Sequence, residues 1–388
     1  MTAPDRGFPV SEFEERTRKL QIIMRDSEVD AVLLTTEPNV RYFTGFLTQF
    51  WQSPTRPWFL IIPAEGKPIA VIPEIGVSGM EQTWVDDIRG WPSPQPEDDG
   101  VSLLISSIQE LPVKFGRIGM TLGAESFLRM PINNFEFLKS SLLRFQFVDI
   151  ADQLHNLRMV KSDLEIAKTR FICKIVSEAF LEMPEFACSG MTESEIVSQL
   201  KIRILGKGAD SVSYVVAGSG PGGYDSIIMG PTGRVVEDGD LMIIDTGSTY
   251  DGYFSDFDRN WAFGYADDAT HRAHEIVWDA TEAGFRAARP GATTTDLWNA
   301  MNEVMMAGGS LGNDVGRLGH GLGIELTERP SNTATDNTVL KEGMVMTLEP
   351  GMTFAPGKQM VHEENMVITE HGAEWLSVRA ERELVVIN

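Results

Sequence analysis

Five side chains of metal-binding type, Asp245, Asp256, His320, Glu349 and Glu363, each stand beside an apolar run or a glycine turn in the second half of the chain. Any fold that buries those runs must also gather the four carboxylates and one imidazole. A carboxylate taken out of water without a partner is strongly destabilising, so such a set has to protonate or bind cations. Divalent ions shared among the carboxylates resolve the conflict and make a hydrolytic centre.

The local contexts support that reading. Asp245 closes the strand-like run Leu241-Met-Ile-Ile and is followed by the turn-forming Thr246-Gly247. Asp251-Gly252 is a hairpin signal, and a hairpin there returns the chain so that Asp256 faces Asp245. His320 lies between glycines in Gly319-His-Gly-Leu-Gly, where backbone and metal can approach closely. Glu349 follows Val345-Met-Thr-Leu and precedes Pro350-Gly351, and Glu363 heads the run Met366–Ile368. Taken singly, each has a bland reading as a turn residue, a packed imidazole or a solvated strand-edge charge. Their coincidence along one half of the chain favours ligands.

The first half reads as an α/β domain. An amphipathic helix over Ser11–Ser27 precedes strand-like runs at Asp30–Thr36, Trp58–Pro63 and Pro68–Pro73, with helical stretches at 101–110 and 130–139. A hinge is expected near residues 150–160, giving domains 1–155 and 156–388. In the second, a continuous helical run is predicted from Lys161 past Phe186, and Thr192 with Glu195 forms a capping box that opens another helix. Further helices are expected at His271–Ala288 and Thr294–Ala307. Cys173 and Cys188 fall in the predicted helical region without a CxxC pairing and read as reduced thiols. The net charge of −23 argues against nucleic acid and anionic membrane as partners. The polar first residues and the lack of a membrane-length apolar stretch lead to the expectation of a cytoplasmic protein.

The series IIDTG, DGYFSD, GHGLG, TLEPGM and HEENMVIT resembles the pita-bread metallopeptidase superfamily, which includes aminopeptidase P, prolidase, methionine aminopeptidase and the creatinase-type amidinohydrolases. DAVLLTTEPNVRYFTGF, from Asp30, resembles the creatinase-type N-terminal domain of its two-domain members. The resemblance implies an α/β creatinase-like N-terminal domain followed by an α+β pita-bread catalytic domain. It implies two divalent metal ions (Mn, Fe, Co or Zn), with Asp256 and Glu363 bridging them, Asp245 on one, and His320 and Glu349 on the other. It gives Glu349 the acid/base role beside His320, and it implies a homodimer in which the N-terminal domain reaches the partner's active site.

Two positions depart from the peptidase pattern. Met229 stands where those enzymes carry a histidine ahead of the first metal aspartate, and Thr327 stands where a second follows the metal histidine. Losing two donors that stabilise the reacting carbonyl predicts a changed substrate. Met229, Thr327, Tyr224, Tyr214 and Asp225 are the expected pocket wall. His362 is a further substrate-side or packing candidate, and Trp51, in an aromatic loop with Phe50 and Trp58, a candidate for a cationic or cyclic group. The resulting expectation is a hydrolase of a C–N bond in a small substrate other than an ordinary peptide. The alternatives are an Xaa-Pro aminopeptidase or dipeptidase, a lyase on a small osmolyte-type compound, and a non-catalytic binding protein.

Overall fold

The computed structural model describes residues 2–312 and 316–388. Its contacts divide into two compact units, Asp5–Arg158 and Met159–Asn388, the latter joined by the first residues of the chain.

The first unit is built on a six-stranded mixed sheet, in the order Asp87–Trp91, Ile69–Pro73, Phe59–Pro63, Ala31–Leu34, Arg117–Met120 and Gln146–Asp149. Antiparallel pairing joins the first three runs read from the sequence, and parallel pairing adds the strands that arrive after helices. The helices Val10–Asp26, Val101–Gln109 and Ile132–Ser141 pack around it. Buried Asp30 fixes the turn before the Arg117 strand, accepting hydrogen bonds from the backbone N–H groups of Lys114, Phe115 and Gly116.

The second unit layers helices over two antiparallel-rich sheets. One sheet runs Val385–Ile387, Tyr253–Phe263, Asp240–Tyr250, Ser211–Pro221; the other runs Glu328–Ser331, His320–Gly321, Val345–Leu348, Glu364–Thr369, Gly372–Trp375. Strand alternation sends side chains to both faces. Met242, Ile244, Phe257, Val345 and Val367 pack under the helices Asp163–Leu181 and Glu193–Gly206. Leu241, Ile243, Met346, Leu348 and Met366 pack under Asp268–Ala287 and Thr294–Ala307. Both faces being covered, the strands read as near-continuous apolar runs, and the polar residues inside them stand out as functional.

The capping box at Thr192 and Glu195 forms as expected, and Ser162 with Glu165 makes another. The helical run from Lys161 is not continuous. It starts at Asp163, stops after Leu181, and resumes as the single turn Met183–Phe186. Pro184 has no N–H to give to the carbonyl a turn earlier, and its ring clashes with that carbonyl, so the helix cannot pass through it. Cys188 therefore lies in an exposed loop rather than a helix, while Cys173 is buried in the long one.

Candidate metal centre

Asp245 and Asp256 come from one long hairpin. Asp251 and Gly252 take φ values of 47° and 78°, the left-handed pair that a tight two-residue turn needs. The ladder behind that turn aligns Asp245 with Asp258 and Gly247 with Asp256, so Asp245, Asp256 and Asp258 share one face. Contrary to the sequence reading, Asp245 does not end its strand. The strand continues to Tyr250 because Thr246 and Gly247 pair on both sides, with Val215 and Tyr214 on one and with Phe257 and Asp256 on the other.

The second sheet supplies the other three. His320 occupies a two-residue strand against Ser331. A Cβ at Gly319, which sits at φ 125°, would meet the Thr347 carbonyl oxygen, and one at Gly321 would meet that of Arg329. Only glycine lets the backbone seat the imidazole here. Glu349 lies one residue past Val345–Leu348, its N–H donating to the Leu318 carbonyl at 3.1 Å. Glu363 immediately precedes Glu364–Thr369.

Asn365 joins the two sheets. Its side chain accepts from the Asp256 N–H at 3.0 Å and donates back to the Asp256 carbonyl, and its own N–H donates to Ser377 Oγ at 3.0 Å. This amide holds Asp256 in register with Glu363.

Ligand-capable atoms of Asp256, His320 and Glu363 lie within 4.8 Å of one another, all three residues buried. His320 Nδ1 sits 2.8 Å from the Gly321 carbonyl oxygen, which can only accept, so the ring proton is on Nδ1. Nε2 is left with its lone pair, 3.4 Å from Asp256 Oδ2. Two acceptors facing one another require a proton or a cation between them.

The electrostatics give the same picture. Burial, reinforced by its carboxylate neighbours Asp256 and Glu349, pushes the Asp245 carboxyl far above its ordinary range, and a hydrogen bond from Tyr214 offsets only part of this. Burial raises Asp256 to about 8 and Glu349 to about 7. Burial together with Asp256, Glu349 and Asp245 drives Glu363 far up, and Asp258 is raised likewise. Burial lowers His320, keeping it neutral. Asp245 Oδ1, Asp258 Oδ1 and Glu363 Oε1 are buried without hydrogen-bond partners. Protons alone leave such atoms orphaned. Hard oxygen donors with one neutral imidazole suit divalent Mn, Fe, Co or Zn, so the residues present fit a metal centre.

Behind the centre lies an ionic network built on Arg259. Its guanidinium pairs with Glu364 at 3.0 Å and donates to the Glu363 carbonyl at 3.1 Å. Burial alone would raise Glu364; Arg259, His362 and Ser377 overcome that and hold it at about 2. Adjacent glutamates thus have opposite surroundings, Glu363 among carboxylates and Glu364 among cations.

The expected substrate-side residues separate. Tyr224 is not a pocket wall. Its buried hydroxyl donates to Asn260 Oδ1 at 3.0 Å and accepts from the Val361 N–H at 2.8 Å, making it a core strut. His362 is likewise turned from the ligands, with Nε2 3.3 Å from Glu364 Oε1 and its ring against His274. Trp51 is buried within the N-terminal unit, against Trp58 and the Arg129 guanidinium, which places it in that unit's packing. Met229 is 60% exposed and Thr327 is exposed. Arg317 was not anticipated: its Nη2 lies 3.4 Å from Thr327 Oγ1, and its charge acts on Asp256, Glu349 and His320. No periodicity marks an arginine three residues before a metal histidine.

A buried carboxylate–imidazole centre between two helix-covered sheets defines a metal-dependent hydrolase. Residues 167–371 match the model of metallopeptidase family M24, and residues 16–160 match the creatinase/prolidase N-terminal domain. The chain belongs to metallopeptidase family M24, in its two-domain form. It is 28% identical to a probable dipeptidase PepE of Mycobacterium tuberculosis over 98% of each chain. It is also 28% identical to an Xaa-Pro dipeptidase of Pyrococcus furiosus over 96% of this chain and 100% of that one. A crystal structure of dipeptidase PepE from Mycobacterium ulcerans superposes with a TM-score of 0.84 at 26% identity, covering 98% and 99% of the two chains.

Proposed function

We propose that this protein hydrolyses a C–N bond in a small substrate that is not an ordinary peptide, using Asp245, Asp256, His320, Glu349 and Glu363 to hold two divalent ions. What supports the reading is the complete ligand set together with the resemblance, which sets Met229 and Thr327 at the two histidine positions of the peptidases. When bound, the ions supply Lewis acidity and lower the pKa of water. Asp256 and Glu363 hold the centre together, and neutral His320 offers Nε2 as a ligand. Glu349 is the carboxylate that the resemblance puts in the acid/base role, where it would carry a proton to the leaving nitrogen. Glu349→Gln is expected to lower turnover by roughly 10²–10⁴-fold.

A second reading, an Xaa-Pro dipeptidase, is favoured by the names of the relatives. The test is turnover of Xaa-Pro dipeptides against small N-acyl amides by the native-metal enzyme and by the double variant Met229→His with Thr327→His. The non-peptide reading expects poor dipeptide cleavage that rises on installing the two donors, each worth roughly 10²-fold or more. Efficient dipeptide cleavage by the unaltered enzyme overturns it. A homodimer is proposed on the resemblance; a fully active monomer on light scattering contradicts it.

A further inference from the structure

We propose that Asp258 is a further ligand of the metal centre, joining Asp245 on one ion so that this ion is held by oxygen atoms alone. The inference rests on the metal-centre reading above and adds a residue and a metal preference to it.

Asp258 lies directly opposite Asp245 in the hairpin ladder and two residues after Asp256 on the same strand, so its side chain shares their face. It is 1% exposed. The Glu363 backbone N–H donates to its carboxylate, which ties it to another ligand, while Oδ1 has no hydrogen-bond partner. The carboxylates whose charge acts on it are the ligands Asp245 and Glu349.

The nearby donors are committed elsewhere. The Tyr224 hydroxyl donates to Asn260 Oδ1, and the Asn260 amide donates to the Val361 carbonyl. Arg259 alternates to the opposite face, where its guanidinium pairs with Glu364 and donates to the Asp258 and Glu363 carbonyls. A carboxylate buried this deeply with an open lone pair calls for a cation, and the metal of the centre is the cation that its face presents. The two ions then differ. One, shared by Asp245, Asp258, Asp256 and Glu363, meets carboxylate oxygens only, a donor set that suits Mn. The other also takes the His320 imidazole, which suits Zn or Fe as well.

The test is titration of the chelator-stripped full chain, and of its Asp258→Asn and Asp258→Cys variants, with Mn(II) and Co(II). Free and bound Mn(II) are counted by electron paramagnetic resonance, and Co(II) is followed by absorption. Asparagine keeps the shape of the side chain and an acceptor for the Glu363 N–H, but loses the charge and one ligating oxygen. Wild type should bind two Mn(II). Asp258→Asn should keep one at wild-type affinity and hold the other more than roughly 100-fold more weakly, beyond the 10–100-fold that loss of a merely supporting contact costs. Co(II)-loaded Asp258→Cys should gain sulfur-to-cobalt charge-transfer absorption in its difference spectrum against wild type, a signature that a supporting role would not produce. An Asp258→Asn protein that holds both ions within about 100-fold of wild type overturns the proposal. So does an Asp258→Cys protein without the charge-transfer band. Either result leaves the five-ligand centre standing, whereas a wild type that takes up neither metal removes that centre and the proposal together.

Discussion

Removing metal should make the catalytic unit lose stability as pH rises from about 7 to about 8.5. In the metal-free fold Asp256 keeps its proton up to about 8, and burial raises Asp245, Asp258 and Glu363 well above their ordinary range as well. In the unfolded chain all four ionise near 4. Between those limits the folded state binds more protons, so its stability is full below the unfolded value and falls as pH rises toward the folded one. The window avoids competing groups. His274, lowered to about 3 by burial, and His320 and His362, lowered as well, favour folding as pH climbs to about 6.5 and are silent above it. The Cys173 thiol, raised by burial, adds to the loss only toward pH 9. Asp256 alone, at ~1.4 kcal/mol per proton and pH unit and half ionised at about 8, contributes ~1.3 kcal/mol across the window. That is roughly 3–5 °C in melting temperature for a unit of this size. Divalent ions bind the ionised cluster and release its protons, so the loaded protein should lack this slope and melt higher at every pH. Thermal unfolding of chelator-stripped and reconstituted protein at about pH 7, 7.75 and 8.5 decides the matter. A stripped protein equally stable at all three, or one that metal does not stabilise, refutes the clustering of protonated carboxylates.

Two further outcomes follow from particular contacts. Glu364→Gln leaves Arg259 buried without its charge partner and should cost ~3–5 kcal/mol by denaturant unfolding, far more than an exposed pair would. Thr192→Ala removes a capping-box hydroxyl and should cost about 1 kcal/mol in the same assay, with metal content unchanged.

Much of this architecture is written locally. The Asp251-Gly252 turn, the capping box at Thr192 and the glycines around His320 act over a few residues, and each does in the fold what its chemistry requires. The break at Pro184 was also local, and was missed because helical periodicity was read across a residue that cannot sustain it. The remaining gaps are tertiary. Tyr224 and His362 have the chemistry of substrate contacts, but their partners Asn260, Val361 and Glu364 are brought to them only by sheet packing. Asn365 and Arg317 carry no spacing signal at all: one matters because two sheets meet at Asp256, the other because its guanidinium stands beside Thr327.

The most direct test is metal content of the natively purified protein by mass spectrometry, alongside Asp256→Ala. Five ligand-type residues around a buried centre predict about two divalent ions per subunit, lost in the variant while the fold is retained. A protein with no stoichiometric metal, or a variant that keeps the full complement, would contradict the dinuclear centre.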